Sequence, residues 1–279
     1  MPELPEVESV VRALTPVLAG RAITDVVVLS HSAVSESPEP LARLVGRRFE
    51  RFRRRGKYIL AECAGGYVLA VHLRMTGRLL LRRRGDLETR PEPFLRVALA
   101  LDGACGAGQE VLLFCDIRKF GRLWCGPREK ILALGSLARL GPEPLEVRRA
   151  EFAARLRARR GRLKSVLLDQ TFLAGLGNIY ADEALFGARL HPLRPACRVP
   201  PQAAARLHRA IQSVLRRALA AGGTTLRDYL RPDGSPGRFA RELKVYGREG
   251  EPCPRCHRPI RRIAVGQRGT WFCPSCQRR

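Results

Sequence analysis

The reactive chemistry of this 279-residue chain gathers at its beginning, in Pro2-Glu3-Leu4-Pro5-Glu6-Val7-Glu8. Proline is a small second residue, so removal of Met1 is expected. Removal exposes a secondary amine with a carboxylate, Glu3, as its neighbour. An α-amino group ionises near ~7.7–8.0 against ~10.4 for lysine, so more of it is unprotonated at neutral pH. A secondary amine that attacks a carbonyl or a sugar C1′ forms a permanently charged iminium, a good electron sink. Taken alone, the same residues also make an ordinary helix lead-in. Pro5 suits the first helical position, and Glu6 and Glu8 suit the positive helix end. The company the segment keeps decides between the two.

Four cysteines offer a second chemistry. Cys253-Pro-Arg-Cys256 and Cys273-Pro-Ser-Cys276 stand sixteen residues apart, the spacing of a four-thiolate zinc ribbon. Four thiolates complete a tetrahedron and leave no open position, so one structural Zn2+ is expected, with His257 outside the ligand set. A redox dithiol pair is the competing reading, and the chain lacks the βαβ context for it. Cys63, Cys105, Cys115, Cys125 and Cys197 are scattered and read as small buried hydrophobes. Between the pairs, Arg261–Thr270 is basic. Arg268-Gly269-Thr270 is expected at a hairpin tip, where an arginine can enter a groove or touch a phosphate.

The elements that must hold these groups follow from local pattern. A helix runs to about Leu18 and stops at Gly20. Short β-rich runs follow at 23–29, 46–55, 58–62, 67–73, 78–81, 96–101, 111–115 and 122–125, which together predict a β-sandwich or barrel. Loops are expected at 30–40, 82–93 and 104–109. Gly141-Pro142-Glu143-Pro144 reads as a linker, and helical patterns follow at 151–159, 163–169, 178–186 and 201–221. The polar stretch 224–242 reads as a mobile functional loop rather than a core element.

Composition narrows the partner. Lys and Arg number 51 against 26 for Asp and Glu, a net charge of +25. Such a field attracts polyanions, and the arginine excess suits phosphate forks. No apolar run approaches the ~18 residues of a membrane span, and no signal peptide opens the chain, so a soluble, cytoplasmic protein is expected.

Three interior stretches connect the two ends. Arg54-Arg55-Gly56-Lys57-Tyr58 sets a lysine at a strand start. His72-Leu73-Arg74-Met75-Thr76-Gly77 and Asp116-Ile117-Arg118-Lys119-Phe120-Gly121 place Met, Arg and Phe on loop tips, as wedges for the space a departing base leaves. Singly, Met75 and Phe120 are more often core residues, since both types are commonly buried. Ala174-Gly175-Leu176-Gly177-Asn178-Ile179-Tyr180 is a Gly-rich turn before a helix, able to hold a phosphate.

Together these residues closely resemble the formamidopyrimidine-DNA glycosylase family. The likeness spans the chain: Pro-Glu-Leu-Pro-Glu-Val-Glu at the start, Gly-Lys-Tyr at 56–58, Gly-Leu-Gly-Asn-Ile-Tyr at 175–180, Gly-Gly-Thr-Thr-Leu-Arg-Asp at 222–228, Val-Tyr-Gly-Arg at 245–248 and the zinc ribbon. The resemblance implies an α+β fold: an N-terminal β-sandwich with a leading helix (1–130), a helix-two-turn-helix domain with a lesion-capping loop (131–242) and a four-cysteine zinc finger (243–279). It implies a monomeric DNA glycosylase and AP lyase that removes 8-oxoguanine and formamidopyrimidines from duplex DNA held in a cleft, in the cytoplasm at the bacterial nucleoid. Residue by residue, Pro2 looks like the nucleophile and Glu3 the acid that helps expel the base, while Glu6 has a structural role. Lys57 looks like the lysine that assists β-elimination, and Arg268 the zinc-finger arginine of δ-elimination. Met75, Arg118 and Phe120 match the intercalating triad. Arg159, Lys164 and Asn178 match DNA-contacting positions, and His72 either steadies the wedge or touches phosphate. Thr224–Val245 is similar to the flexible loop that closes over the flipped base.

One departure stands out. Many relatives carry Lys-His-x-His where this chain has Pro93-Phe94-Leu95-Arg96. Phe94 cannot bond phosphate as a histidine does, and Arg96 is the substitute available. An insertion-like Cys105-Gly-Ala-Gly108 is expected at a loop tip. Two alternatives are weighed. An endonuclease VIII-like enzyme for oxidised pyrimidines tends to begin Pro-Glu-Gly-Pro, against Leu4 here. A catalytically silent DNA-binding protein would not need Pro2, Glu3, Lys57 and Arg268 intact.

Overall fold

The computed structural model describes residues 2–89, 91–103 and 109–279. The expectations for Met1, for Cys105 and for the 105–108 loop tip fall outside them. Two compact units form: the chain up to Ala138 together with Ala221–Arg238, and Arg139–Ala220 together with Phe239–Arg279.

In the first unit, helix α1 (Leu4–Leu18) precedes eight strands, each at an expected run. They are β1 (Ile23–Val28), β2 (Phe49–Arg55), β3 (Tyr58–Cys63), β4 (Tyr67–His72), β5 (Gly77–Arg83), β6 (Leu95–Leu101), β7 (Glu110–Asp116) and β8 (Arg122–Pro127). Two four-stranded sheets result, in the orders β1-β6-β7-β5 and β2-β3-β4-β8. Every pairing is antiparallel. Their inner faces share one core, with Phe49, Ile59 and Val71 from one sheet and Val97, Leu99 and Phe114 from the other. This is a sandwich rather than a barrel. Helix α1 closes it with Val7, Val10, Val11, Leu14 and Leu18, the apolar stripe of a 3.6-residue period. Each such side chain contributes about 1.5–3 kcal/mol by leaving water.

The outer faces are covered too, which explains the nearly unbroken apolar runs of β3 and β7. Leu87 of a short helix α2 (Arg84–Thr89) packs on Leu80 and Leu113. The stretch 82–93, expected as a loop, therefore contains a strand end and this helix. Tyr58 donates its hydroxyl to Ser136 at 2.8 Å. Ser136 lies on α4 (Gly135–Ala138), which follows α3 (Arg128–Leu132).

The polar stretch after Gly223 also differs from expectation. Thr224 bridges to Arg238, and Tyr229 is buried in the sandwich core among residues of α1 and both sheets. A single aromatic side chain anchors a segment whose composition is otherwise that of a loop.

The second unit holds α5 (Arg149–Arg157), α6 (Leu163–Leu168), α7 (Asn178–Ala188), α8 (Pro201–Ala220) and a hairpin of β9 (Arg261–Val265) and β10 (Arg268–Phe272). Helix α7 is almost wholly buried. The hairpin turns at Gly266-Gln267, both at left-handed φ (53° and 61°). Arg268-Gly269-Thr270 therefore begins the returning strand instead of forming the tip. Among the described residues, no helix is long and apolar enough to cross a membrane.

Candidate catalytic and nucleic-acid-binding site

Helix α1 begins with a capping box. Glu3 is the N-cap, its side chain accepts the N–H of Glu6, and the Glu6 carboxylate accepts the Glu3 N–H at 2.7 Å. Pro5 falls at the second helical position, where an N–H has no intrahelical partner either. Pro2, Glu3 and Glu6 are all buried. The second oxygen of Glu6 accepts the Thr224 N–H at 2.7 Å, and Tyr229 donates its hydroxyl to the Glu6 carbonyl at 3.2 Å. Glu6 thus locks the start of α1 to the 221–238 segment, in keeping with a structural role. The backbone at Gly223 must be bare for this, because a side chain there would press on the Glu6 carboxyl and on Tyr229 at a φ of 86°.

Lys57 sits in the two-residue turn between β2 and β3, where Arg55 pairs with Tyr58 and Gly56 takes a left-handed φ of 56°. Its side chain is buried. Beside the turn, Arg54 donates to Glu8 of α1 at 3.0 Å and to the Gly56 carbonyl at 3.1 Å. His72 ends β4, buried edge-on against the Tyr58 ring at 4.6 Å, and its Nδ1 accepts the Arg74 N–H at 3.0 Å. Burial, then the charges of Arg74 and Lys57, push its pKa down to about 3. A neutral, enclosed imidazole steadies the Arg74-Met75 loop. The Nδ1 bond is in keeping with the first of the two roles expected for it.

The two loops expected to act as wedges hang from Asp116, which is fully buried. Its carboxylate accepts from the Thr76 hydroxyl at 2.5 Å, the Arg118 N–H at 3.2 Å and the Gly121 N–H at 2.7 Å. Its carbonyl accepts from the Arg96 side chain at 2.9 Å, so this part of the Arg96 guanidinium already has a partner. Phe120 is 47% exposed with the Arg118 guanidinium 4.6 Å from its ring centre, and Met75 is half-buried. Exposure on that scale excludes a core role for Phe120. Phe94 is equally exposed, at a left-handed φ of 61°.

In the second unit, Arg268 stands exposed at the start of β10. Asn178, the first residue of α7, donates to the Gly269 carbonyl at 3.0 Å. Lys164 is completely buried, and its ammonium meets the Gly269 carbonyl at 3.0 Å, the Thr270 hydroxyl at 2.8 Å and the Asp182 carboxylate at 2.8 Å. The expectation that Lys164 contacts phosphate meets a physical obstacle, because its charge is enclosed and bonded inside the unit. Arg159 is partly exposed and bonds Asp169 and Thr171 at 3.3 and 3.1 Å. Burial pushes the Asp182 carboxyl up to about 7, against the pull of Lys164.

The four cysteines converge, with every Sγ within 4.8 Å of the others. Cys253 and Cys276 approach to 3.9 Å and Cys256 and Cys273 to 3.4 Å. A tetrahedral ion with Zn–S bonds of about 2.3 Å sets its sulfurs about 3.8 Å apart. The donor set fits one structural Zn2+, and His257 is exposed and outside it. Cys63, Cys115 and Cys125 are buried thiols pushed up to about 12, 11 and 12 by desolvation, as inert hydrophobes should be.

Three anchoring acids were not foreseen from the sequence. Asp116 organises the wedge loops. Asp182 accepts the Trp271 N–H at 3.0 Å, and Glu183 accepts the N–H groups of Lys244, Val245 and Tyr246 at 2.9–3.0 Å. The available signal was two consecutive acids inside the otherwise apolar run 179–186, where charges survive only with partners.

Comparison with known proteins places this geometry. Residues 1–123 match the family described as formamidopyrimidine-DNA glycosylase N-terminal domain, residues 140–229 its H2TH domain, and residues 250–279 the zinc finger found in FPG and IleRS. The formamidopyrimidine-DNA glycosylase of Pelotomaculum thermopropionicum is 44% identical over 100% of this chain and 99% of its own. That of Thermus thermophilus is 45% identical over 99% and 98%. The crystal structure of the MutM (FPG) protein from Thermus thermophilus superposes with a TM-score of 0.88 at 44% identity, covering 99% of this chain and 98% of that one. A Lactococcus lactis Fpg mutant bound to Fapy-dG-containing DNA superposes with a TM-score of 0.90 at 35% identity, over 100% of both chains.

Proposed function

Because the chain belongs to the formamidopyrimidine-DNA glycosylase family, we propose that it is a base-excision-repair enzyme that removes oxidised purines from duplex DNA and then cuts the strand as an AP lyase. The observation that carries this reading is the start of α1, where Pro2 and Glu3 are buried at a helix N-terminus fixed by Glu6, in the same unit as the buried Lys57. With Met1 removed, the Pro2 nitrogen attacks C1′ of the damaged nucleotide. Glu3 supplies a proton to the opening sugar, the glycosidic bond breaks, and the base departs with the bonding pair and a proton. The iminium then withdraws electrons from the sugar. Loss of a C2′ proton expels the 3′ phosphate, and loss of the C4′ proton expels the 5′ phosphate. Hydrolysis of the iminium frees Pro2.

Lys57, in its buried turn, assists the first elimination. Arg268 holds the phosphate that leaves in the second. Flipping the base costs a few kcal/mol of unstacking, which Met75, Arg118 and Phe120 offset by filling the gap. Arg159 and Asn178 lie among the residues that meet the backbone. The four cysteines hold the Zn2+ that keeps the Arg268 hairpin folded. The field of +25 draws the protein to chromosomal DNA in the cytoplasm.

The test is borohydride trapping. Protein lacking Met1, mixed with an 8-oxoguanine:C duplex, should give a covalent adduct that P2G weakens and that a thymine-glycol duplex gives poorly. Absence of adduct would reject the nucleophile and favour a catalytically silent binder, and a stronger thymine-glycol adduct would favour the pyrimidine enzyme.

A further inference from the structure

The strand that carries Arg268 is half of a two-stranded hairpin, and such a ribbon is marginally stable alone. Its inner edge pairs with β9, in the register Gly269 to Ala264 and Trp271 to Arg262. Its outer edge has no third strand among the described residues. Side chains take that place at alternate positions. The Gly269 carbonyl accepts from Lys164 and Asn178, and the Trp271 N–H donates to Asp182. Between them the Thr270 hydroxyl accepts from Lys164 and donates to the Arg268 carbonyl at 3.1 Å.

The chemistry of this edge is specific. The Lys164 ammonium donates hydrogen bonds to the Gly269 carbonyl and the Thr270 hydroxyl and forms an ion pair with the Asp182 carboxylate 2.8 Å away. Lys164 and Asp182 are 0% and 1% exposed, and Thr270 is 0% exposed. A buried ion pair is weak evidence for stability but a good device for fixing register. Here the register it fixes is that of residues 269–271, beginning one peptide from Arg268.

We propose that Asp182, Lys164 and Thr270 are positioning residues for Arg268, holding the root of its side chain so that the guanidinium meets the phosphate expelled in the second elimination. The proposal rests on the reading of Arg268 given above and adds how that residue is aimed. Loosening the root affects the second elimination more than the first, because the first depends on Pro2 and Lys57, which lie in the other unit.

The measurement is the ratio of second- to first-elimination products from an end-labelled 8-oxoguanine:C duplex at saturating protein. It is made alongside the yield of borohydride-trapped adduct and the zinc content. T270V removes the hydroxyl with little change of volume, T270S restores it, D182N removes the charge, and R268Q is run in parallel. We expect T270V and D182N to lower the ratio by about fivefold or more, since a displacement near 1 Å suffices for such losses. T270S should match the wild type, and T270V and D182N should keep the adduct and one zinc. A ratio within about twofold of wild type in T270V, with R268Q lowering it, would overturn the proposal and leave the Arg268 reading intact. An unchanged ratio in R268Q would overturn both. Should D182N fail to fold, the T270V and T270S pair decides alone.

Discussion

Arg54 and Glu8 form an ion pair 3.0 Å long between β2 and α1, with the arginine side chain only 8% exposed. The same guanidinium holds the Gly56 carbonyl, so one side chain ties the turn bearing Lys57 to the helix that begins beside Pro2 and Glu3. Replacing it with methionine keeps the buried stem and removes both bonds. R54M should slow single-turnover strand cleavage by about tenfold, or ~1.4 kcal/mol of barrier, with an unchanged circular dichroism spectrum. A rate within about twofold of wild type would show that the turn holds its place without the arginine.

Glu6 should matter more for stability than for chemistry. Its carboxylate serves the Glu3 and Thr224 N–H groups from a buried position. E6A strands two donors, each at about 1–3 kcal/mol. Y229F removes the hydroxyl shared between the Glu6 and Gly222 carbonyls and should cost about 1 kcal/mol. Urea denaturation should rank E6A well below Y229F, and Y229F slightly below wild type.

His72 gives a pH dependence with a definite sign. Folded, its pKa lies at about 3, while the unfolded chain takes up a proton below about 6.5. The unfolded state therefore binds more protons in that window, and its contribution to stability is present above about 6.5 and lost as the pH falls toward 3. H72N, which keeps an acceptor for the Arg74 N–H, should show a smaller drop in Tm between pH 7 and pH 5 than wild type. Equal drops would mean that another group governs acid lability.

Chelation should separate the zinc finger from the sandwich. Removing Zn2+, or making C256S, should unfold the 250–279 module and change the Trp271 fluorescence, because metal binding and local folding are one process in such ribbons. The β-sheet signal should persist, while affinity for duplex DNA falls. Loss of all secondary structure on chelation would contradict this division.

Salt should weaken DNA binding steeply through counterion release. Phe94 adds a test of detail: F94H supplies a phosphate donor at an exposed left-handed position. If that position faces the DNA backbone, F94H should steepen the slope of log affinity against log salt by as much as about one unit, most strongly below the imidazole pKa. An unchanged slope at pH 6 would place residue 94 away from phosphate.

Much of this architecture was legible in the sequence, for reasons that can be named. The eight strands stand out because short apolar runs are punctuated by turn formers, and the zinc site because the spacing of paired thiolates has few other uses. Short helices such as 84–89 and 128–132 were invisible, since five or six residues hold too little of a 3.6-residue period. The course of the 221–238 segment escaped notice because Tyr229 is one aromatic in a polar stretch, and only tertiary packing reveals that it is buried. Residue type cannot tell that Lys164 points inward, because the same lysine on an exposed face would meet solvent. The anchoring acids Asp116, Asp182 and Glu183 read as ordinary charges until their backbone partners are known.

Asp116 has a consequence for how a duplex is searched. With Thr76, Arg118 and Gly121 all fastened to one carboxylate, the loops bearing Met75 and Phe120 are tied into a single stiff unit. The entropy of shaping them is spent once, when the chain folds, and is not charged again at each base pair interrogated. For a protein that probes duplex DNA with these loops, as proposed above, speed of inspection is written into a fully buried aspartate.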